Sequence, residues 1–223
     1  MKKKMLIGRI YGKLCIECFL SCALIMNQHN TCIQHCAAVI LTGGQSKRMG
    51  QDKASVIFEG QTLLAIVEQS LTPLFEHVVV STRQKRDDTL LPQVLDDSEH
   101  RAPMMGIVAA FEAVDTDWLF VVGVDMPFIS ADLLKHMAKH REVHDAVALH
   151  VGGMAQPLCC FYHRQTLPAM QQHIKQDKRS LKCLLETLNT YCIPEQEARL
   201  YDAELRSLVS LNTTADVKQW SKL

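Results

Sequence analysis

The chain has no excess of charge of either sign: 24 lysines and arginines are balanced by 24 aspartates and glutamates. No global field therefore draws it to nucleic acid or to an anionic membrane, and any anion it binds has to be held locally. It also lacks an apolar run long enough to span a bilayer comfortably. The nearest approach, "LCIECFLSCALIM" behind "MKKKMLIGRIYGK", imitates the apolar and basic regions of a secretion signal, but it has no small-residue cleavage site and Glu17 interrupts it. The favoured reading is an N-terminal extension over residues 1–36, disordered or a mis-assigned start with Met26 as the initiator, on a cytoplasmic protein. Internal repeats and low-complexity linkers are absent too. That leaves 223 residues of ordinary globular composition, enough for one sizeable core, and a single domain expected over residues 37–223.

Cysteine is not scarce, with nine in the chain. Cys15, Cys18, Cys22, Cys32 and Cys36 crowd the start, where "CIECFLSC" lacks the second half that a metal or cluster site would need. Cys159, Cys160, Cys183 and Cys192 stand in apolar surroundings and read as small buried hydrophobes in a reducing compartment.

From Ala37 onward short apolar runs alternate with amphipathic stretches, the pattern of helices packed on a parallel sheet. "AAVIL", "HVVVST", "QVLDDS" and "WLFVVGVD" read as strands, and "TLLAIVEQSLTPLF" and "APMMGIVAAFEAV" as helices between them. Ser130 caps "ADLLKHMAKHRE". "DAVALHV" and "QPLCCFYH" read as two strands joined by a hairpin turn through Gly152 and Gly153. "TLPAMQQHIKQD" and "SLKCLLETL", the latter capped by Ser180, are two more helices; "LVSLNT" is a late strand before a final helix ending at Trp220. Trp118 and Phe161 belong to apolar runs and are expected in the core. The predicted architecture is one three-layer α/β domain that carries its ligands at the carboxyl edge of a mainly parallel sheet.

The first strand runs into "LTGGQSKRMGQDK" (Leu41 to Lys53). Gly43 and Gly44 permit a sharp turn and let phosphate oxygens reach main-chain N–H groups, while Lys47, Arg48 and Lys53 supply countercharge. The spacing is neither that of a Walker loop nor that of the dinucleotide G-x-G-x-x-G loop. On composition alone, a phosphate cradle and a solvated basic loop are both open. Asp125 closes the strand "WLFVVGV", and Pro127 ends the strand and fixes the turn after it. Such a carboxylate faces the crevice and suits Mg²⁺, which takes one or two carboxylates plus substrate phosphates; capping a turn is the alternative job. Asn212 in "SLNTTAD" either completes that site or caps the final helix. Lys178 and Arg179 before Ser180 suit either an anionic acceptor or a solvated loop. His136 and His140 share a helix face at metal-binding spacing, but "HMAKH" has no glutamate of the zinc-protease type and no third ligand in view, so both are expected at the surface.

"LTGGQSKRMGQDK" resembles, without a gap, the L-x-G-G-x-S-x-R-M-G-x-D-K loop of the nucleotidyltransferases, most closely that of the molybdenum cofactor guanylyltransferases. "VLDDS", "APMMGI", "VVGVDMPFI", "QPLCCFYHR" and "LVSLNTTADV" follow in that family's order, so the resemblance covers Ala37 to about Trp220. It implies a Rossmann-like fold and Mg²⁺-dependent transfer of GMP from GTP to molybdenum-bound molybdopterin, with release of pyrophosphate. It also implies transient contact with proteins that handle the molybdenum cofactor. By position, Leu41, Thr42 and Gly43 line the guanine and phosphate pocket, Lys53 binds phosphate, Asp97 contacts the nucleoside, and Asp125 holds magnesium. Lys53 and Arg48 stabilise the leaving pyrophosphate. Ser81 stands where some members place an Asn that contacts nucleotide; Thr42 and Ala102 replace the more usual Ala and Gly. Arg179 and Asn212 are candidates for the acceptor. Cytidylyl relatives tend to show Ala-Gly in place of Gly43-Gly44, which favours GTP over CTP. A catalytically silent nucleotide-binding protein of the same fold is the rival from outside enzymology, opposed by the intact Asp125 and Lys53.

Overall fold

The computed structural model describes residues 32–43, 52–96 and 102–221. Gly44, Lys47, Arg48, Asp97 and everything before Cys32, including Met26, Cys15, Cys18 and Cys22, lie outside the described residues.

Two consecutive-looking apolar runs form the centre of the sheet. Strand β1 (Cys36–Leu41) is buried at all six positions, as is β6 (Trp118–Gly123), and the two pair in parallel with Leu41 opposite Gly123. Strands buried on both faces carry no polar alternation, which is why these segments read as continuous apolar runs. β4 (His77–Thr82) lies on the other side of β1 and β5 (Gln93–Leu95) outside β4, both parallel. Beyond β6 come β8 (Met154–His163), β7 (Ala146–Val151) and β9 (Thr190–Pro194), giving the order β5-β4-β1-β6-β8-β7-β9. Only β8 runs antiparallel to its neighbours. It is joined to β7 by Gly152 and Gly153, both with positive φ (60° and 77°), as a primed two-residue hairpin turn requires. A small second sheet pairs β2 (Ile57–Phe58) with β3 (Gln61–Thr62).

Helices cover both faces. Ala38 and Ile40 of β1, with Phe120 and Val122 of β6, meet α1 (Leu63–Leu71) and α3 (Ala131–Ala138) through Leu64, Val67, Leu133 and Met137. Ala37, Val39 and Leu41, on the opposite face by strand alternation, meet α2 (Pro103–Ala113), α4 (Leu167–Lys175) and α5 (Leu181–Thr187) through Ile107, Phe111, Met170 and Leu184. Thr62, Ser130 and Ser180 each accept from a backbone N–H three residues on, capping α1, α3 and α5. Pro103 opens α2, where its missing N–H costs nothing. α6 (Glu195–Ala198) and α7 (Thr214–Trp220) complete the helices, the last closed by a reciprocal Thr213–Asp216 cap. The three-layer α/β expectation therefore holds. Trp118 and Phe161 are buried as expected. Among the described residues no helix is long and apolar enough to cross a membrane.

Three local readings are corrected. "LVSLNT" is not a strand: it begins in a 3-10 turn (Arg206–Leu208) and continues as irregular chain, its Leu211 N–H donating to the Asp125 carbonyl at 2.8 Å. Its alternation is real, because Leu211 is fully buried while Ser210 and Asn212 face the other way, but that alternation serves a site and not a sheet. The seventh strand of the main sheet is instead β9, whose "TYCIP" pairs with β7. Finally, the four later cysteines are not uniformly buried. Cys159 and Cys160 are, and burial pushes the Cys159 thiol up to about 12; Cys183 is exposed because Leu181, Leu184 and Leu185 take the inward face of α5, and Cys192 is half-buried.

Candidate active site

The carboxyl edges of β1 and β6 are adjacent, so whatever follows either strand meets at one place. After β6 the chain turns at once, Met126 N–H donating to Gly123 C=O at 3.0 Å, and this turn presents Asp125 at the sheet edge. Its carboxylate Oδ2 accepts from Lys53 Nζ and from Ser210 Oγ, both at 2.7 Å. Lys53 Nζ also donates to Asn212 Oδ1 at 2.5 Å, and Asn212 Nδ2 donates back to Ser210 Oγ at 3.0 Å, closing a ring of four side chains. The Lys53 and Asp125 side chains are 18% and 15% exposed, covered enough to be held and open enough to be reached.

Each member is positioned by its own device. Lys53 opens a 3-10 turn (Lys53–Ser55) capped by Asp52, whose carboxylate accepts from Ala54 N–H at 3.2 Å. Arg86 clasps that turn, pairing with Asp52, donating to Ser55 Oγ at 3.1 Å and bonding Asp88 at 2.6 Å. Ser210 and Asn212 are two apart on extended chain, hence on one side, and Asp216 of α7 accepts the Asn212 and Thr213 N–H groups at 2.8 Å each. Those amide donors hold the Asp216 carboxyl below its usual range. Gly123 makes room: a Cβ there would stand 2.5 Å from Asp125 Oδ1.

Of the residues singled out in the sequence, Lys53, Asp125 and Asn212 are brought together. Leu41, Thr42 and Ser81 lie beside them at the ends of β1 and β4, with Leu41 in register with Ser81. Thr42 spends both its N–H (3.0 Å) and its hydroxyl (2.8 Å) on the Ser81 carbonyl, and the Leu41 side chain is buried against the α2 layer. Neither donor of Thr42 is therefore left for a ligand, and Gly43, the next residue, is exposed. Ser81 Oγ is backed by Gly106 of α2, where a Cβ would approach to 2.5 Å. Arg179 pairs with Asp177 at 2.5 Å on a loop between α4 and α5. Ser210 and Arg86 were not anticipated. The i, i+2 relation of Ser210 to Asn212 was a usable signal for the first, and nothing local marks the second.

His136 and His140 depart from the surface expectation. Their side chains are 12% and 27% exposed, and a third group is present after all: Glu197 of α6, whose Oε1 lies 2.7 Å from His136 Nε2. Burial, with His136 adding to it, pushes the His140 imidazole below its ordinary value.

Residues 38–192 match the model of the MobA-like NTP transferase domain. The chain belongs to that family. It is accordingly a nucleotidyltransferase, with the mostly parallel α/β fold of that group. The "Probable molybdenum cofactor guanylyltransferase" of Peptoclostridium acidaminophilum is 29% identical over 196 residues, covering 84% of this chain and 89% of that protein. The "Molybdenum cofactor guanylyltransferase" of Syntrophotalea carbinolica is 30% identical over 190 residues, covering 83% and 90%. Among solved structures, molybdopterin-guanine dinucleotide biosynthesis protein A from Archaeoglobus fulgidus superposes with a TM-score of 0.74 at 24% identity, covering 83% of this chain and 97% of that one. 2-C-methyl-D-erythritol 4-phosphate cytidylyltransferase from Thermus thermophilus does so at 0.63 and 13%, covering 82% and 96%. At such identities the likeness concerns the fold, and it shows the fold serving a different named acceptor and base.

Proposed function

We propose that this chain transfers GMP from GTP to the terminal phosphate of molybdenum-bound molybdopterin, with Mg²⁺, releasing pyrophosphate and forming the guanine dinucleotide cofactor. The observation that carries the reading is the convergence of Lys53, Asp125, Ser210 and Asn212 at the carboxyl edge between β1 and β6. The relatives' names supply the substrate class.

In the reaction an oxygen of the acceptor phosphate forms a bond to the α-phosphorus, and the bond from that phosphorus to the bridging oxygen breaks, its electron pair leaving with pyrophosphate. Two anions must approach, so the protein's task is neutralising charge and aligning the groups in line; no general base is required. The donor set fits a hard cation. Asp125 Oδ2 and Asn212 Oδ1 already converge on one positive centre, the Lys53 ammonium, at 2.7 and 2.5 Å. Asp125 would hold Mg²⁺, with Asn212 beside it, and the bound ion would supply charge neutralisation on the phosphates. Lys53, released from Asp125, would turn its ammonium to the triphosphate, where fixed positive charge favours the transition state over the ground state. Ser210 keeps the carboxylate oriented while Lys53 moves. Gly43 and Gly44, with Arg48, extend the phosphate contacts, and Ser81 and Asp97 belong to the nucleoside end.

The test is turnover with α-labelled GTP or CTP, Mg²⁺ and molybdenum-bound molybdopterin. Labelled dinucleotide and pyrophosphate from GTP support the proposal. Product from CTP alone assigns the cytidylyl reaction instead, and binding without product assigns a silent nucleotide-binding protein.

A further inference from the structure

Away from the Asp125 cluster, His136 in the last turn of α3 and His140 in the turn that follows the helix stand side by side, their ring centroids 5.1 Å apart. Glu197, from α6, reaches the same pair. Its Oε1 lies 2.7 Å from His136 Nε2 and 3.9 Å from His140 Nε2, and the three potential ligand atoms all fall within 4.8 Å of one another. Both rings are held in place by stacking: His136 on Tyr201, with centroids 4.1 Å apart and planes 16° from parallel, and His140 on Tyr191 at 4.4 Å and 10°. His140 Nε2 is buried and has no hydrogen-bond partner among the described residues. A buried ring nitrogen that stops short of a carboxylate oxygen is an unusual expense for a fold, since it forfeits its bond to water for none in return.

A metal ion resolves that deficit. Around tetrahedral zinc, ligand atoms at about 2.0–2.1 Å from the ion stand about 3.3–3.4 Å from each other, between the two spacings found here. Closing the longer separation and opening the shorter one takes a side-chain adjustment of Glu197, whose side chain is 33% exposed. Two imidazole nitrogens and one carboxylate oxygen form a borderline donor set suited to zinc and its first-row neighbours, in contrast to the oxygen donors around Asp125.

We propose that His136, His140 and Glu197 form a three-ligand site for zinc or a similar first-row divalent cation. The site bridges α3 and α6. The chain leaving α6 is already fastened to the start of α3, Ser130 Oγ donating to the Tyr201 carbonyl at 3.0 Å and Ser207 Oγ accepting from Ser130 N–H at 2.9 Å. That same stretch ends in Ser210 and Asn212, so an ion at this bridge braces the segment that completes the Asp125 cluster without touching the reacting groups.

The experiment uses the full chain freed of metal with a chelator, then titrated with Zn²⁺ by calorimetry and with Co²⁺ by absorption. Wild type should bind one Zn²⁺ at this site and melt at higher temperature with it. His140→Gln and Glu197→Gln should each weaken that binding at least about tenfold and abolish the thermal shift. Co²⁺ at the site should give d–d bands without a thiolate charge-transfer band, which separates it from binding by the chain's cysteines. Circular dichroism checks that both variants fold, and Mg²⁺-dependent turnover in both should match that of metal-free wild type. Failure of wild type to bind Zn²⁺, equal affinity in wild type and both variants, or Co²⁺ ligation by thiolate alone would overturn the proposal.

Discussion

Substituting Gly123 by alanine separates the geometry of the Asp125 carboxylate from the integrity of the fold. Gly123 ends β6, and its φ is not in the positive region, so alanine meets no backbone penalty there. The added Cβ would lie 2.5 Å from Asp125 Oδ1, whereas ordinary contact begins at 3.4 Å, and its next neighbour, Leu158 Cδ1, is already comfortable at 3.6 Å. The carboxylate is the movable partner and must retreat by about 0.9 Å, which takes Oδ2 out of register with Lys53 and Ser210, and with the cation it is proposed to hold. A displacement near 1 Å of a positioning group costs about 10²-fold in rate, or about 2.7 kcal/mol. Stability should change by no more than about 1 kcal/mol, because the reduced freedom of the unfolded chain offsets the local crowding. Steady-state GMP transfer alongside thermal melting reads both quantities. Turnover within about threefold of wild type in a variant that melts normally would refute the reasoning.

Lys53→Ala and Asp125→Ala should each lower the rate by about two orders of magnitude or more, in line with the loss of other preorganised electrostatic groups, and near-normal turnover in either would remove its assigned role. Gly106→Ala places a Cβ 2.5 Å from Ser81 Oγ and 3.0 Å from Leu41 Cδ2, so the Ser81 hydroxyl must turn away; KM for GTP should rise about tenfold with kcat retained. An unchanged KM would exclude Ser81 from nucleotide contact. Asp216, whose folded pKa is depressed by the Asn212 and Thr213 amides, contributes stability that is fully present above its unfolded value of about 3.9 and is lost as pH falls through the lower folded value. Asp216→Asn should therefore lower the melting temperature at neutral pH and flatten its fall below about pH 4; parallel curves for the two proteins would contradict that.

How far the sequence could be read depended on where the deciding interaction lay. β1 and β6 were legible because complete burial leaves an uninterrupted apolar run, α1 because its stretch is amphipathic, and α3 and α5 because Ser130 and Ser180 cap them with side chains from the same few residues. Asp125 and Lys53 were legible because strand ends and a glycine-led loop have chemical meaning before any packing is known. Where a distant partner decides, the local pattern misled. "LVSLNT" alternates as a strand does, yet its backbone is claimed by the Asp125 carbonyl, and β9 was overlooked because "TYCIP" is short and half-buried. Gly106 and Gly123 look like ordinary helix and strand glycines until Ser81 and Asp125 are seen behind them. Glu197 pairs with His136 from 61 residues further along the chain, and Arg86 clasps the Lys53 turn from the loop after β4. Neither has a signature in its own neighbourhood.

The claim on which the rest depends is that one cluster receives both the cation and the triphosphate. Crystals grown with GTP and Mg²⁺ test it directly. The account predicts the α-phosphate at the Asp125 edge, Mg²⁺ on the Asp125 carboxylate, and Lys53 Nζ moved from its 2.7 Å bond with Asp125 to a phosphate oxygen. A triphosphate bound elsewhere, with the Lys53–Asp125 pair undisturbed and no metal on Asp125, would contradict it.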